Sequence, residues 1–197
     1  MRRDPTKGGK PLPPTDAVHD YHHHHHHHKE QNQRQTIYIL RSRLLADISA
    51  QVDIVADMRP LADGNPNPRL QNASTRYQSM FIQWIDKYLN LAKSRMAAYV
   101  LTLERHSAMN ATREWEECII HLAFPPTWNP TTFTNLADAI HQYIVNSVLK
   151  ELFVLMFTSS DPLTADKIAL ADDAYREIKH CCVSKRPGTN QKPLHPF

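Results

Sequence analysis

The residues best able to do chemistry lie near position 120, where three carboxylates precede a histidine. Glu114, Glu116 and Glu117 are followed by His121. A carboxylate beside a histidine can act as general acid and base when both side chains face one pocket. Such neighbours also occur by chance in many proteins, and His141, the other candidate base, is as easily a hydrogen-bonded or partly exposed surface histidine. An enzyme would need these side chains to converge on one pocket, and nothing in the sequence requires that. We therefore assign no catalytic residue.

A second reactive group, His180, Cys181 and Cys182, lies at the end of the last predicted helix. Zinc needs about four ligands that converge from different directions, and adjacent residues seldom point at one ion. A cationic histidine near a helix C-terminus, where it interacts favourably with the helix dipole, is the simpler interpretation. We therefore predict no metal site and no cofactor.

Several enzyme classes are excluded by what the sequence lacks. It has no metalloprotease spacing, no phosphate-binding glycine loop and no nucleophile elbow, and its four glycines are too few for a dinucleotide-binding fold. The three cysteines, Cys118, Cys181 and Cys182, are an odd and sparse set, which predicts reduced thiols in an intracellular protein. The first thirty residues contain no apolar run, so no secretory signal is predicted.

The most apolar stretch, Thr132 to Phe157, predicts the helix around which the chain packs. Its apolar residues recur every three or four positions and then widen to cover most of the helix circumference. Lys150 and Glu151 interrupt this run, which argues against a membrane span. We predict the core helix of a bundle, or a helix partly covered by a neighbouring subunit.

Three further helices and one strand complete the predicted fold. The helices run over residues 37–58, from residues 72–75 to about 103, and from the Asp161 N-cap to about 183. Alternating apolar residues predict a short strand near 116–124, whose partner would be another chain, a tail or an unrecognised stretch. The predicted fold class is mainly α: a four-helix bundle-like single domain with this short strand and extended termini.

The N-terminal residues 1–36 differ in composition from the predicted helical domain, residues 37–183. They are rich in proline and poor in large apolar groups, so we predict a disordered segment. Within it lies a poly-His tract, His22 to His28. This tract is either a purification tag or a native stretch that binds metal loosely.

Residues 184–197 are predicted to form a basic, extended C-terminal arm. Candidate interaction residues in this arm are Lys185, Arg186, Lys192 and Phe197. The domain that carries the arm, residues 37–183, has 14 basic and 16 acidic residues, a net charge of −2. This mildly acidic body is not typical of a domain that binds specific nucleic acid.

Several segments carry a resemblance that extends over residues 37–197. They are RSRLLADISAQVDIVADM, RLQNASTRYQSMFIQWIDKYL, EWEECIIHLAF with the Pro-Trp-Asn turn after it, AIHQYIVNSVLKELF, and a basic tail ending in an aromatic residue. In this order they resemble small helical virion-assembly proteins of phages and prophages of Bacteroidales-type bacteria. Those proteins are similar in size and layout to head–tail connector or tail-completion proteins.

The resemblance implies a non-enzymatic structural subunit of a phage-type virion assembly, either in the neck or head–tail connector or in tail completion. Such a protein would be made in the host bacterial cytoplasm and would end up in the virion. Its partners would be other copies of itself and other virion proteins, with no membrane. A strand without a partner could be completed by another chain. The alternative is a helical adaptor or regulatory protein that binds one protein partner.

Overall fold

A computed structural model describes residues 30–107 and 115–188 of the chain. The prediction of a four-helix bundle-like fold is wrong, because four long helices pack with a three-stranded antiparallel sheet in the described residues, a mixed though mainly helical fold. The strands are β1 (Gln33–Leu40), β2 (Val100–His106) and β3 (Glu117–Phe124). The helices are α1 (Arg41–Met58), the short α2 (Ala73–Arg76), α3 (Gln78–Arg95), α4 (Phe133–Met156) and α5 (Pro162–Val183), with a 3₁₀ turn at Pro130–Thr132.

Strand β3, which corresponds to the strand predicted near residues 116–124, lies at the centre of the sheet. The strand order is β1-β3-β2, and both pairings are antiparallel. Along β1, Gln33 pairs with Phe124 and Leu40 pairs with Glu117. The partners of this strand are therefore two stretches of the same chain that the sequence interpretation had missed.

Both missed strands were interpreted as parts of helices. Ile37 and Leu40 share the three- and four-residue spacing that continues into α1, so the predicted helix began at Ile37 instead of Arg41. The second predicted helix likewise ran through to Leu103, whereas α3 ends at Arg95 and Leu103 belongs to β2. β-branched and aromatic residues near Tyr38 favour a strand once a neighbouring strand is present. Residues 33–36 also belong to β1 rather than to the predicted disordered segment.

Helix α4 is the core helix that the apolar stretch predicts, and its own chain covers it. It packs against α5, α3 and α1, and twelve of its residues are buried. Val154 and Leu155, near its C-terminal end, are the exposed exceptions among its large apolar side chains. Among the described residues, no helix is both long and apolar enough to span a membrane.

The start of α5 confirms the predicted N-cap and joins it to α1. The Asp161 carboxylate accepts a hydrogen bond from the backbone N–H of Leu163, as an N-cap aspartate does. The same carboxylate accepts two hydrogen bonds, of 2.6 and 2.8 Å, from the guanidinium of Arg59 just after α1. Arg59 also lies over the ring of Phe157, at 4.5 Å, so one side chain holds three parts of the helical layer together.

A charged residue of the central helix, Glu151, links α4 to α3. Its carboxylate accepts a short hydrogen bond from the Tyr88 hydroxyl and another, of 3.1 Å, from Lys87. Burial by itself would raise the pKa of Glu151, but the hydrogen bonds from Tyr88 and Lys87, together with the positive charges of Lys87 and Lys150, outweigh burial, and the pKa lies below its ordinary value. The ionised form therefore stabilises the contact between the two helices.

This lowered pKa predicts a stability that depends on pH. The stabilisation is fully present above the pKa of glutamate in the unfolded chain, about 4.3, and is lost as the pH falls through the lower folded pKa. We expect Glu151→Gln to cost roughly 1–2 kcal/mol of unfolding free energy at neutral pH and much less at acidic pH. Urea unfolding of both proteins across this pH range measures the difference. A cost that does not change with pH would contradict the prediction.

Candidate functional site

The turn after β3, residues 125–129, is built around a buried tryptophan. The ring of Trp128 stacks on Phe124 with centroids 3.9 Å apart, and the side chain is 1% exposed. Its indole N–H donates to the backbone carbonyl of Cys181 at 2.9 Å, near the end of α5. A buried tryptophan usually needs such a partner for its N–H group. We call residues 125–129 the Trp128 turn.

The beginning of the predicted C-terminal arm is attached to the Trp128 turn. The backbone N–H of Asn129 donates to Ser184 O at 2.9 Å, and the N–H of Arg186 donates to Thr127 O at 2.8 Å. Lys185 and Trp128 form an antiparallel bridge between the two segments. The side chains of Lys185 and Arg186 are both exposed there. Lys192 and Phe197, the other two candidate interaction residues, lie outside the described residues.

The Trp128 turn is also joined to the start of β1. The side-chain amide of Gln33 donates to the carbonyl oxygens of Pro126, at 2.9 Å, and Trp128, at 2.8 Å. One turn therefore connects the first strand, the central strand and the end of the last helix. The arm therefore begins at a turn that is bonded to β1, β3 and α5.

The second candidate surface is the outer edge of β1, the edge that faces away from β3. Arg41 N donates to Glu116 O and Ala123 N donates to Tyr99 O. Because the N–H and C=O groups of one strand residue point to the same neighbour, these bonds and the register assign the odd-numbered residues of β1 to β3. The groups directed outward belong to the even-numbered residues Arg34, Thr36 and Tyr38, whereas the C=O of Leu40, the N-cap residue of α1, accepts the first hydrogen bond within that helix.

Apolar side chains lie exposed beside this edge. Tyr38 is 64% exposed and Leu40 is 48% exposed, on the face of the sheet that is turned away from the helices. Within residues 30–107 and 115–188, no strand pairs with the outer edge of β1. An exposed strand edge is a template for another strand.

A cleft of about 580 Å³ runs between the end of β1 and the first turns of α4. Its charged lining consists of one cation, Arg43, and three carboxylates, those of Asp47, Glu117 and Asp138. His141 of α4 forms a hydrogen bond of 2.5 Å with Asp47 of α1 across this cleft. The pair joins two packed helices, and Asp47 is half exposed to solvent.

The cleft brings together two of the residues that an enzyme would have needed, Glu117 and His141. His121 is elsewhere, on the outer face of the sheet, where Nδ1 lies 3.3 Å from the hydroxyl of Thr36 and Nε2 lies 4.0 Å from Glu104. Glu116 is exposed beside β3, and Glu114 lies outside the described residues. Because His141 is hydrogen-bonded to a carboxylate of the neighbouring helix, the pair connects α1 to α4.

The cysteines of the sequence are buried and unreactive. Cys118, Cys181 and Cys182 are free thiols with almost no exposed surface. Burial raises the pKa of Cys118 and of Cys182 to about 11 each, and burial together with a hydrogen bond to Glu177 raises the pKa of Cys181 to about 12. Thiols react as thiolates, so these groups are poor nucleophiles. No group of histidine, cysteine and carboxylate side chains within residues 30–107 and 115–188 is arranged to hold a metal ion.

The assignment of Lys185, Arg186, Lys192 and Phe197 as interaction residues stays a prediction. The edge of β1 is a feature that the sequence interpretation missed. The signal was present, since Ile37 and Ile39 alternate with Thr36 and Tyr38 in the printed sequence. That alternation was hidden by the helical spacing of the same apolar residues with α1. Comparisons of the chain with protein-family models, curated proteins and solved structures give no match.

Proposed function

We propose that this protein is a non-enzymatic structural subunit of a phage-type virion assembly, in the neck or head–tail connector or in tail completion. It acts through contacts with other copies and with other virion proteins. The observation that carries the proposal is the attachment of residues 184–186 to the Trp128 turn. A basic arm that starts from a rigid point of the body is suited to reach a neighbouring subunit.

Rigid attachment matters because binding by a flexible segment costs conformational entropy. Two backbone hydrogen bonds and the bridge at Lys185 already order the first three residues of the arm. The side chains of Lys185 and Arg186 are exposed from this ordered base. Lys192 then supplies a further positive charge and Phe197 an apolar anchor, and the four residues together dock on an acidic, partly apolar surface of a neighbour.

A helical adaptor or regulatory protein is the second candidate function. The observation that favours it is the outer edge of β1, which can accept a strand from an unrelated partner. The two functions make different predictions for the arm. A virion subunit needs the arm to be retained in a particle, whereas an adaptor does not.

The arm predicts a measurable loss of incorporation when it is shortened. We expect deletion of residues 189–197 to lower the copy number of the protein in purified particles by about tenfold or more, a loss of ~1.4 kcal/mol in binding. Particles purified by density gradient from a producing bacterium, with the copy number measured by quantitative mass spectrometry, test this. The deletion keeps Ser184, Lys185 and Arg186, so circular dichroism and thermal unfolding of the body should not change.

A matched control uses the full-length chain with Lys192→Gln and Phe197→Leu, which removes the charge and the aromatic ring and keeps the length. Its incorporation should fall to an intermediate level. Absence of the full-length protein from purified particles would overturn the virion function. Equal incorporation of the full-length and shortened chains would overturn the role of the arm.

A further inference from the structure

We propose that residues 189–197 of the arm fold back onto their own chain and dock in an acidic groove between α4 and α5. The groove has a volume of about 380 Å³ and is lined by the first turns of α4 and the second half of α5. The inference goes beyond the proposed function, because it concerns the single chain and needs no virion. It assigns the arm a site on its own body.

Negative charge dominates the lining of this groove. The carboxylates of Asp138, Asp173 and Glu177 line it, whereas its lining includes no cationic side chain from the part of the chain that the structure describes. Asp173 is hydrogen-bonded to Arg176 on the same helix. Among the described residues, Asp138 has no ion pair, and Glu177 accepts only a hydrogen bond of 3.3 Å from the Cys181 thiol. Two carboxylates are therefore available to a cation from residues 189–197.

The proposed occupant has the opposite charge. Residues 189–197 contain one lysine, Lys192, and no aspartate or glutamate. The groove is also lined by Ala139 and Ala174, whose small side chains are buried. Apolar surface of this kind suits Leu194, two residues after the lysine. Charge and apolar surface thus match the same short segment.

The course of the arm at its base directs it towards this groove. Residues 184–186 pair with residues 127–129 in the antiparallel sense, so the chain first runs away from the start of α4. A turn follows at Pro187 and Gly188, where Gly188 has a φ of 94°. Proline followed by glycine with a positive φ is typical of a type II turn, which reverses the chain. The chain therefore leaves Gly188 in the direction of α4 and α5.

The length of the segment fits the distance to the free carboxylates. Glu177 lies seven residues before Ser184 on α5, which is roughly 10 Å along the helix. The four residues from Gly188 to Lys192 extend up to about 13 Å, which returns the chain past the base of the arm. The lysine side chain reaches further, so Glu177 and the facing Asp138 lie within its range.

The arm of the same chain has an advantage over the arm of a second copy. Attachment to the body gives a short segment a local concentration of the order of millimolar at the groove. A second copy reaches that concentration only in very concentrated solution. Docking in the groove of its own chain competes with docking on a neighbour, so the single chain keeps its arm covered.

Chemical cross-linking of the full-length chain tests the site. A carbodiimide joins a lysine amine to a carboxylate in direct contact, forming an amide with loss of water. We expect mass spectrometry to find a link from Lys192 to Asp138 or Glu177. Lys192→Arg is the matched control, because it keeps the positive charge and forms no such amide. Absence of any link from Lys192 to these carboxylates would overturn the proposal.

Isotope labelling in the same experiment shows which chain supplies the arm. In a mixture of light and isotopically heavy chains, a link within one chain joins two light or two heavy peptides. We expect only such links. A link between copies would also join light to heavy peptides, and mixed products at the level of random pairing would assign the groove to the arm of a second copy.

A labelled peptide tests the groove from outside. We expect a fluorescent peptide of residues 188–197 to bind the chain shortened to Gly188 at least about tenfold more tightly than the full-length chain, whose own arm occupies the groove. Asp138→Asn with Glu177→Gln in the shortened chain should weaken peptide binding about fivefold. Circular dichroism checks the fold of this variant, in which both changed residues lie on the helix surface.

Equal affinity of the shortened and full-length chains for the peptide would contradict docking in the same chain. No binding by the shortened chain would do so as well. Neither result changes the expected copy number of the full-length protein in purified particles, so failure of this docking and failure of the virion function are distinguishable.

Discussion

Replacing Trp128 with alanine is expected to lower the unfolding free energy by about 3–5 kcal/mol, the usual cost of removing a fully buried large aromatic side chain. The ring is 1% exposed and stacks on Phe124, which is itself fully buried against Tyr99. The substitution also removes the hydrogen bond to the carbonyl of Cys181. Because this carbonyl then keeps only the longer bond, of 3.2 Å, from the Thr132 hydroxyl, the end of α5 should loosen as well.

The Trp128→Phe variant separates packing from hydrogen bonding. It keeps an aromatic ring on Phe124 and loses the indole N–H, so we expect a smaller cost of roughly 1–2 kcal/mol. Chemical unfolding followed by circular dichroism measures both variants. A change below about 1 kcal/mol in Trp128→Ala would show that the Trp128 turn does not hold the strands and α5 together.

The same substitution is expected to release the start of the arm. Ser184 and Arg186 are bonded to Asn129 and Thr127, the residues on either side of Trp128. Amide hydrogen exchange at Asn129 and Arg186 should therefore become faster in Trp128→Ala than in Trp128→Phe. Unchanged protection of both amides would show that the backbone pairing holds without the indole ring.

The parts of the fold that depend on one segment could be predicted from local sequence signals. The apolar circumference of α4 and the Asp161-Pro162 start of α5 were visible in sequence because helix geometry and capping act over a few residues. The alternation of β3 was visible for the same reason. Its neighbours were not, since the pairing of Gln33 with Phe124 joins residues that are far apart in the chain.

The helical periodicity of apolar residues predicted the wrong structure at the boundary between β1 and α1. Ile37, Leu40 and Leu44 keep a helical spacing across the junction, although Ile37 packs as a strand residue and Leu44 as a helix residue. The spacing does not break where the backbone changes, so only a non-local partner decides the structure. The candidate site could not be predicted from local sequence for the same reason, because the attachment of residues 184–186 depends on contacts with residues 127–129.

Deleting residues 1–36 as if they were a disordered tail is expected to destabilise the protein by roughly 4–6 kcal/mol. The deletion removes half of β1, with four backbone hydrogen bonds of the pairs Gln33–Phe124 and Gln35–Leu122, at about 1 kcal/mol each. It also removes the hydrogen bonds from the Gln33 side chain to the Trp128 turn, of which those to the carbonyl oxygens of Pro126 and Trp128 are the shortest. A loss of this size approaches the whole stability of many domains of this size.

Deleting only residues 1–29 is the matched control, because it removes the poly-His tract and keeps every residue of β1. We expect this shorter deletion to leave the thermal unfolding midpoint unchanged, whereas the longer one should unfold at a much lower temperature or accumulate as aggregate. Equal midpoints for the two truncated proteins would mean that the sheet does not need the first half of β1.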